Sequence, residues 1–507
     1  MKVAIIGGGI AGLCTGIYAR LNGYDAHIYE MHSKPGGLCT AWQRNGYTID
    51  ACVHWFTGSR PGTSLYKLWD EVGVVRQLDF IDLEEASRME FPDAPPLIFY
   101  SDIDRLLPHL TERAPEDKKL LKDFLGDAKR LGEGRELPSD MPPREIQNPL
   151  KTLRLLPALL PYMRPVRKWN ALTIREFVSR FKNPHLRTAF ESIWIPEMSA
   201  FTLLMTLAWF HSRQAGYPLG GSMPIAEAAE RRFTELGGAI DYRARVTEIL
   251  VENDRAVGVR LVDGREERCN VVVSAADGHA TIFDMLKGRY VDDNVRKWFT
   301  EYLPFPPLVF VGIGVHRSFP DEPRLANGTS LGLSEPITIG NRSLNRLSYR
   351  LHNFDPSLSP PGKTVITCEI VSDYDYWKEL GTDRQRYEAE KKNIGDVLVG
   401  ALDQRFPGLR EQVEMVDVAT PLTWERYTGN WRASFEGWLP TPSNMLTVMP
   451  RKLPGLDDFY MAGQWVAPGG GLPSGLMTGR QVVQLICHKD GKRFTTTAPA
   501  AATPAGR

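Results

Sequence analysis

The chain has 507 residues, enough for one large core or two to three smaller ones, and its 61 basic and 61 acidic side chains cancel, leaving no global field to recruit nucleic acid. Its six cysteines are scattered without a C-x-x-C pair, which argues against a zinc site or a disulfide framework. No apolar run reaches the ~18 residues of a spanning helix and the N-terminus carries no signal pattern, so a cytoplasmic setting without metal is expected.

The first element is the β-branched run from Lys2 to Ile6, followed at once by "GGGIAGLCTGIYARLNG", which sets G-x-G-x-x-G at Gly7, Gly9 and Gly12. Gly7 lets a strand turn sharply, Gly9 lets backbone approach a pyrophosphate, and Gly12 lets the following helix pack closely. The helix N-terminus at Ile10 and Ala11 turns free N–H groups and positive dipole toward phosphates. A second strand, "DAHIYE", ends in Glu30, 18 residues after Gly12, where an acid accepts hydrogen bonds from both ribose hydroxyls and repels a 2′-phosphate. Strand, glycine turn, helix, strand and acid together predict a dinucleotide-binding βαβ unit.

The next stretch, "MHSKPGGLCTAWQRNGYTIDACVHWFTG", carries Gly36, Gly37 and Thr40 and then a polar loop. Here the chain resembles the large flavoprotein family that includes amine oxidases, phytoene desaturases, carotenoid isomerases and retinol saturases. The resemblance implies that Gly36 and Gly37 close over the pyrophosphate of a non-covalently held FAD. Leu38 stands where many of these proteins have arginine, with His32 and Lys34 as alternative sources of charge. "DACVHWFTG" is closer to the retinol saturase and carotenoid isomerase side than to the amine oxidases.

Asp104 to Ala200 reads as helical, with Leu120, Leu121, Phe124, Leu125 and Ala128 on one face of "PEDKKLLKDFLGDAKRL". No acid lies between Glu145 and Glu176, where Lys151, Arg154, Arg164, Arg167 and Lys168 punctuate a run whose prolines at 157, 161 and 165 are expected to prevent one regular helix. Residues 149–168 read either as a membrane-facing patch or as a cap folded on its own core with a solvated basic rim. The resemblance resumes over Tyr217 to Leu261, where it places Val246 on the adenine, and over "VVVSAAD", where Ala275 leads out of the nucleotide unit. Leu308 to Thr420 reads as alternating strands, and "VGIGVHRS" lacks a third glycine and is expected to be a buried strand, which argues against a second bound nucleotide.

Near the end, "DDFYMAGQWVAPGGGLPSGLMTGR" predicts a strand delivering Gly463, then a helix whose first residues, Gly471, Ser474, Gly475 and Leu476, face the flavin. The small, proline-rich end is expected to be disordered over 491–507.

The implied fold is α/β: a Rossmann-type FAD-binding domain from residues 1–80, 212–286 and 416–490, a β-rich substrate domain from 81–103 and 287–415, and a helical cap from 104–211. The implied reaction is hydride transfer at flavin N5 to or from a polyene or isoprenoid, as desaturation, saturation or isomerisation, at a site with apolar walls and at most one base. His54, Trp55 and Trp465 are the catalytic candidates, His54 alone being suited to proton transfer near neutral pH. Tyr217, Arg426 and Tyr427 are candidates for substrate contact. An FAD-dependent amine oxidase and a non-catalytic prenyl-lipid-binding protein of the same architecture are the competing readings.

Overall fold

A computed structural model describes residues 1–134, 138–148 and 156–497 of the protein. Strands from widely separated stretches form a five-stranded sheet in the order Ala239–Asp241, Asp25–Tyr29, Lys2–Ile6, Val271–Ser274, Phe459–Met461. All four pairings are parallel, with Ile6 level with both Tyr29 and Ser274. Both faces of such a sheet are covered, which is why "VAII" and "VVV" read as continuous apolar runs. Val3 and Ile5 pack against helices on one face, while Ala4 and Ile6 pack against the antiparallel sheet Val246–Glu252, Arg255–Leu261, Glu266–Arg268 on the other.

Helix Ile10–Leu21 and the last helix, Gly471–Lys489, lie side by side on the first face. A Cβ on Gly479 would stand 2.9 Å from the Thr15 amide nitrogen, and one on Gly475 would stand 3.2 Å from that of Ala11. The glycines at 475 and 479, one helical turn apart, are thus what bring the end of the chain into contact with its beginning.

A seven-stranded sheet runs Val413–Ala419, Leu308–Val315, Thr364–Val371, Arg342–Leu351, Thr329–Ile339, Glu85–Glu90, Leu97–Tyr100. The expected strand in "VGIGV" is its second member, and its glycines serve packing: Cβ atoms at Gly312 and Gly314 would fall 2.8 Å from Ile49 and 2.7 Å from Tyr47. The hairpin Ala41–Arg44, Tyr47–Asp50 therefore lies flat on the sheet and carries the chain on to His54.

Three expectations need correction. The stretch from Leu308 to Thr420 also contains helices Tyr374–Leu380 and Arg384–Arg405, the second burying Ile394, Leu398 and Leu402 behind the sheet. Residues 156–169 form one helix, Leu156–Trp169, despite Pro161 and Pro165. Pro161 is exposed, so water can satisfy the carbonyl that it frees, whereas Pro165 is buried. The tail is ordered as far as it is described: Phe494 packs on Tyr18 at 5.8 Å and Thr495 exchanges hydrogen bonds with Asn22, while residues 498–507 lie outside the described residues.

The inner face of helix Leu156–Trp169 buries Tyr162 and Trp169, whose Nε1 donates to the fully buried Asp127 at 2.8 Å. Its outer face leaves Leu160 and Met163 more than 60% exposed, among Arg164 and Arg167. The ion pair of Arg164 with Asp123 at 3.5 Å is worth under ~1 kcal/mol, so burial of the two aromatics holds this helix. The remaining part of the basic patch, residues 149–155, lies outside the described residues. Among the described residues no helix is long and apolar enough to cross a membrane.

Replacing Gly479 with valine is expected to wedge the first and last helices apart and to cost about 1–3 kcal/mol in chemical denaturation. An unchanged midpoint would mean that the two helices do not pack through this residue.

Candidate functional site

The first half of the site surrounds the N-terminus of helix Ile10–Leu21. Its N-cap is Gly9, with no side chain closing the helix end, so the first N–H groups have no intrahelical acceptor. Glu30 is 5% exposed and accepts from the Gly8 N–H at 2.5 Å and the His32 N–H at 2.7 Å. Burial raises its pKa, against the lowering effect of the backbone donors.

The second glycine pair closes on the first: the Gly36 N–H donates to the Gly8 carbonyl at 2.9 Å, and a Cβ on Gly37 would stand 3.3 Å from the Gly9 Cα. Gly463 arrives from the end of the chain, where its Cβ would lie 3.3 Å from that of Ala11. The Gly463 N–H donates to the Thr478 hydroxyl at 2.8 Å, tying this turn to the last helix. A Gly7 Cβ would meet the Ala275 carbonyl at 3.2 Å, and Ala244 donates to the Glu30 carbonyl at 2.8 Å just before buried Val246. Thr40 is buried with its hydroxyl toward the Met223 sulfur, Leu38 is half-buried, and Leu476 is a core residue. The Ser474 hydroxyl donates to the Gly470 carbonyl one turn back. This is a cradle of bare backbone with an acid at its end, the chemistry a dinucleotide pyrophosphate and ribose require.

The expected charge around Leu38 is corrected in part. Burial, and then the charge of Lys34, lower the His32 pKa below its ordinary 6.5, so His32 is neutral at pH 7. The Lys34 ammonium is committed to the Ala41 carbonyl.

The second half of the site is built on the sheet. His54 Nε2 lies 2.8 Å from a Glu369 carboxylate oxygen, and the two side chains are 28% and 30% exposed, so they line open space. Beneath them the buried Arg350 donates to the carbonyls of Val53 at 3.0 Å and His54 at 3.2 Å. Desolvation lowers the Arg350 pKa, but the surrounding Tyr217, Asp50, Glu369 and Asp355 favour its charged form. Burial alone would raise the Glu369 pKa, yet His54 and Arg350 hold it below its ordinary value, so Glu369 is ionised at pH 7. Asp50 holds this loop from the other side, accepting from the Ser222 N–H at 3.1 Å, while the Ser222 hydroxyl accepts from the Val53 N–H at 3.0 Å.

Sequence reasoning missed Glu436. Its carboxylate oxygen would meet a Cβ on Gly471 at 3.5 Å, placing it at the start of the last helix. Burial, and then the negative charge of Glu369, push its pKa up to about 8, so it is neutral at pH 7. One signal was available: Glu369 in "TVITCEIV" and Glu436 in "SFEGWLP" are lone charges within apolar or aromatic runs.

Of the remaining candidates, Trp55 is half-buried and leans on Trp194 at 5.8 Å and Phe210 at 5.4 Å, forming an apolar wall beside His54. Trp465 is corrected from a catalytic candidate to a core residue: it is 3% exposed, and the turn Gln464–Val466 rolls it edge-on against Trp438 at 4.9 Å. Tyr217 is corrected from substrate contact to support, because it is 1% exposed, donates to Asp355 at 3.1 Å and lies 5.0 Å from the Arg350 guanidinium. Arg426 and Tyr427 are both exposed, and Tyr427 sits edge-on to His32 at 5.2 Å. Helix Pro421–Thr428 thus brings them to the nucleotide end beyond Glu30 rather than to the substrate.

A carboxyl whose pKa is raised on folding stabilises the native state fully below its unfolded value near 4.5 and loses that contribution as pH rises through about 8. Glu436→Gln is therefore expected to raise the thermal midpoint relative to the parent at pH 9 and to change it little at pH 5. Equal differences at the two pH values would contradict the raised pKa.

Residues 10–487 match the family model described as flavin containing amine oxidoreductase. Prolycopene isomerase from Arabidopsis thaliana is 25% identical over 92% of this chain and 79% of its own length. A lycopene-forming phytoene desaturase from Pseudescherichia vulneris is 25% identical over 96% of this chain and 99% of its own. The crystal structure of an oxidoreductase from Methanosarcina mazei superposes with a TM-score of 0.61 at 16% identity, over 96% of this chain and all of that one. With the match spanning nearly the whole sequence, and a glycine cradle and buried acid at the place such a cofactor requires, the chain belongs to the flavin-containing amine oxidoreductase family.

Proposed function

We propose that the protein is an FAD-dependent oxidoreductase acting on the carbon–carbon bonds of a hydrophobic polyene or isoprenoid, by desaturation, saturation or isomerisation. The observation that carries this reading is the continuity of the two half-sites: the cradle at Ala11 meets Gly475, the same helix begins at Gly471 beside Glu436, and Glu436 feels the charge of Glu369 next to His54. The relatives named above, which isomerise or desaturate carotenoid substrates according to their names, support the same substrate class.

In this reading residues 1–80, 212–286 and 416–490 hold FAD without a covalent bond, residues 81–103 and 287–415 form the substrate side, and residues 104–211 form the cap. The bound flavin supplies a hydride acceptor or donor at N5. Glu30 takes the ribose hydroxyls, and the free N–H groups at Ile10 and Ala11 take the pyrophosphate. The start of helix Gly471–Lys489 turns its positive dipole to the flavin ring. Trp55, with Trp194 and Phe210 behind it, presents an aromatic face suited to a conjugated chain and excludes water.

The exposed pair Leu160 and Met163, among Arg164 and Arg167, is the membrane-surface contact through which such a substrate is collected. Replacing both Leu160 and Met163 with aspartate is expected to reduce co-sedimentation with anionic vesicles at least several-fold. Unchanged sedimentation would return the patch to a solvated rim.

For the function itself, the purified protein is expected to be yellow and to release FAD on denaturation. Under anaerobic conditions carotenoids, retinoids or their more saturated precursors are expected to bleach the oxidised flavin, to reoxidise the reduced flavin or to be isomerised, whereas amines are not expected to bleach the oxidised flavin. Reaction with amines alone would replace this reading with an amine oxidase, and a colourless protein that takes up no FAD would remove both.

A further inference from the structure

Six cysteines without a C-x-x-C pair suggest no disulfide framework, but the hairpin Ala41–Arg44, Tyr47–Asp50 brings two of them, 13 residues apart, opposite one another. Its register pairs Ala41 with Asp50 and Arg44 with Tyr47. The two-residue turn between the strands, Asn45 and Gly46, has φ values of 49° and 82°, the left-handed pair that fixes a tight hairpin. Pairing continues past the other end of the strands, because the Ala51 N–H donates to the Thr40 carbonyl at 3.2 Å. The next position on that ladder sets Cys39 opposite Cys52.

Neither amide bonds across the pair: the Cys39 N–H donates to the Gly36 carbonyl at 3.0 Å and the Cys52 N–H to the Asp50 carboxylate at 3.3 Å. Opposed residues that exchange no hydrogen bond bring their Cα atoms to about 4.5 Å. A disulfide spans Cα separations of about 4.4–6.8 Å, so a bridge here needs little backbone movement. The two side chains also share a face. Cys39 and Cys52 join the core around helix Ile10–Leu21, whereas Tyr47 and Ile49 pack on the seven-stranded sheet. The Cys39 thiol donates to the Ser222 carbonyl at 3.3 Å, and the neighbouring Cys52 thiol, followed by burial, raises the Cys39 pKa. Access separates the two sulfurs, Cys39 being 2% exposed and Cys52 half-buried. The pair stands where the half-sites join. Cys39 follows the glycines that close on Gly8 and Gly9, and Cys52 precedes Val53 and His54, whose carbonyls Arg350 holds.

We propose that Cys39 and Cys52 are a redox modification site, oxidised by a small disulfide to one reversible S–S bond that braces the glycine pair of the cradle against the His54 loop. The brace rests on the FAD reading above, whereas the bond itself does not. Cys52, the accessible sulfur, reacts first: its thiolate attacks one sulfur of a disulfide RSSR, a mixed disulfide forms on Cys52, and RS⁻ leaves. The Cys39 thiol then gives up its proton and attacks the Cys52 sulfur, displacing the second RS⁻. The two protons lost by the cysteines end on two RSH molecules, so two protein thiols are oxidised and one small disulfide is reduced. The finished bond closes the hairpin into a covalent loop and limits the separation of its two ends.

The test treats the native, flavin-loaded protein with glutathione disulfide, blocks the remaining thiols and cleaves the chain after Arg44, which separates the two cysteines. The peptides carrying Cys39 and Cys52 are expected to appear joined in the mass spectrum and to part on reduction with dithiothreitol. Cys269→Ser, which removes another half-buried thiol, is expected to leave the joined species in place. Cys39→Ser is expected to trap glutathione on Cys52, and Cys52→Ser to leave Cys39 unmodified. On dilution the oxidised parent is expected to release FAD at least several-fold more slowly than the reduced parent, a difference absent from Cys52→Ser. Peptides of the parent that stay separate under excess glutathione disulfide would overturn the site without recourse to any variant. A bond that forms while FAD release stays the same would overturn the brace. A protein that takes up no FAD would overturn the functional reading, and the joined peptides would still decide the site.

Discussion

Contact between the first and last helices is the constraint on which the rest of the molecule depends. Gly475 and Gly479 bring helix Gly471–Lys489 down on Ala11 and Thr15, and from that contact follow the position of Gly463 over Ala11 and of Gly471 beside Glu436. A side chain at either glycine would hold the two ends of the sequence apart, leaving the cradle open where its last wall belongs. The close approach is a steric matter: Cβ distances near 3 Å leave no room for a side chain.

Charge is distributed unevenly between the two half-sites. The cradle has almost no side-chain charge directed into it beyond Glu30, and relies on backbone N–H groups and a helix end. The cleft is the reverse, with Arg350 buried among Asp50, Asp355 and Glu369, and with His54 paired to the last of these. Buried ion networks of this kind contribute little net stability and are kept where orientation matters, here the carbonyls of Val53 and His54. The aromatic layer at Trp55 packs against the core of the helical cap, next to His54 of this network.

Most of the first half-site was legible in the chain because its signals are local. The run from Lys2 to Glu30 forms strand, turn, helix and strand as its residues suggest, and Gly36 returns to Gly8 within thirty residues. The misreadings share a cause, which is that local rules were applied where tertiary context decides. Pro161 and Pro165 sit in a helix because Tyr162 and Trp169 bury on one side, while the exposed Pro161 meets water and the buried Pro165 packs with the helix's inner side. Trp465 joined the core because its neighbours in space are Trp438 and Trp431, both distant in sequence. Tyr427, with Arg426 over its ring, met His32 for the same reason.

By itself the sequence determined the βαβ unit, its ribose acid, the glycine pair behind it and the family that these residues resemble, since each is a short-range pattern with a direct backbone cause. Only the tertiary structure decided which acids share the cleft. Glu369 and Glu436 are 67 residues apart in a chain with 61 acidic side chains, and nothing in their spacing marks them as partners. What pairs them is desolvation and like charge at close range, and both properties exist only after sheet, loop and last helix have packed together.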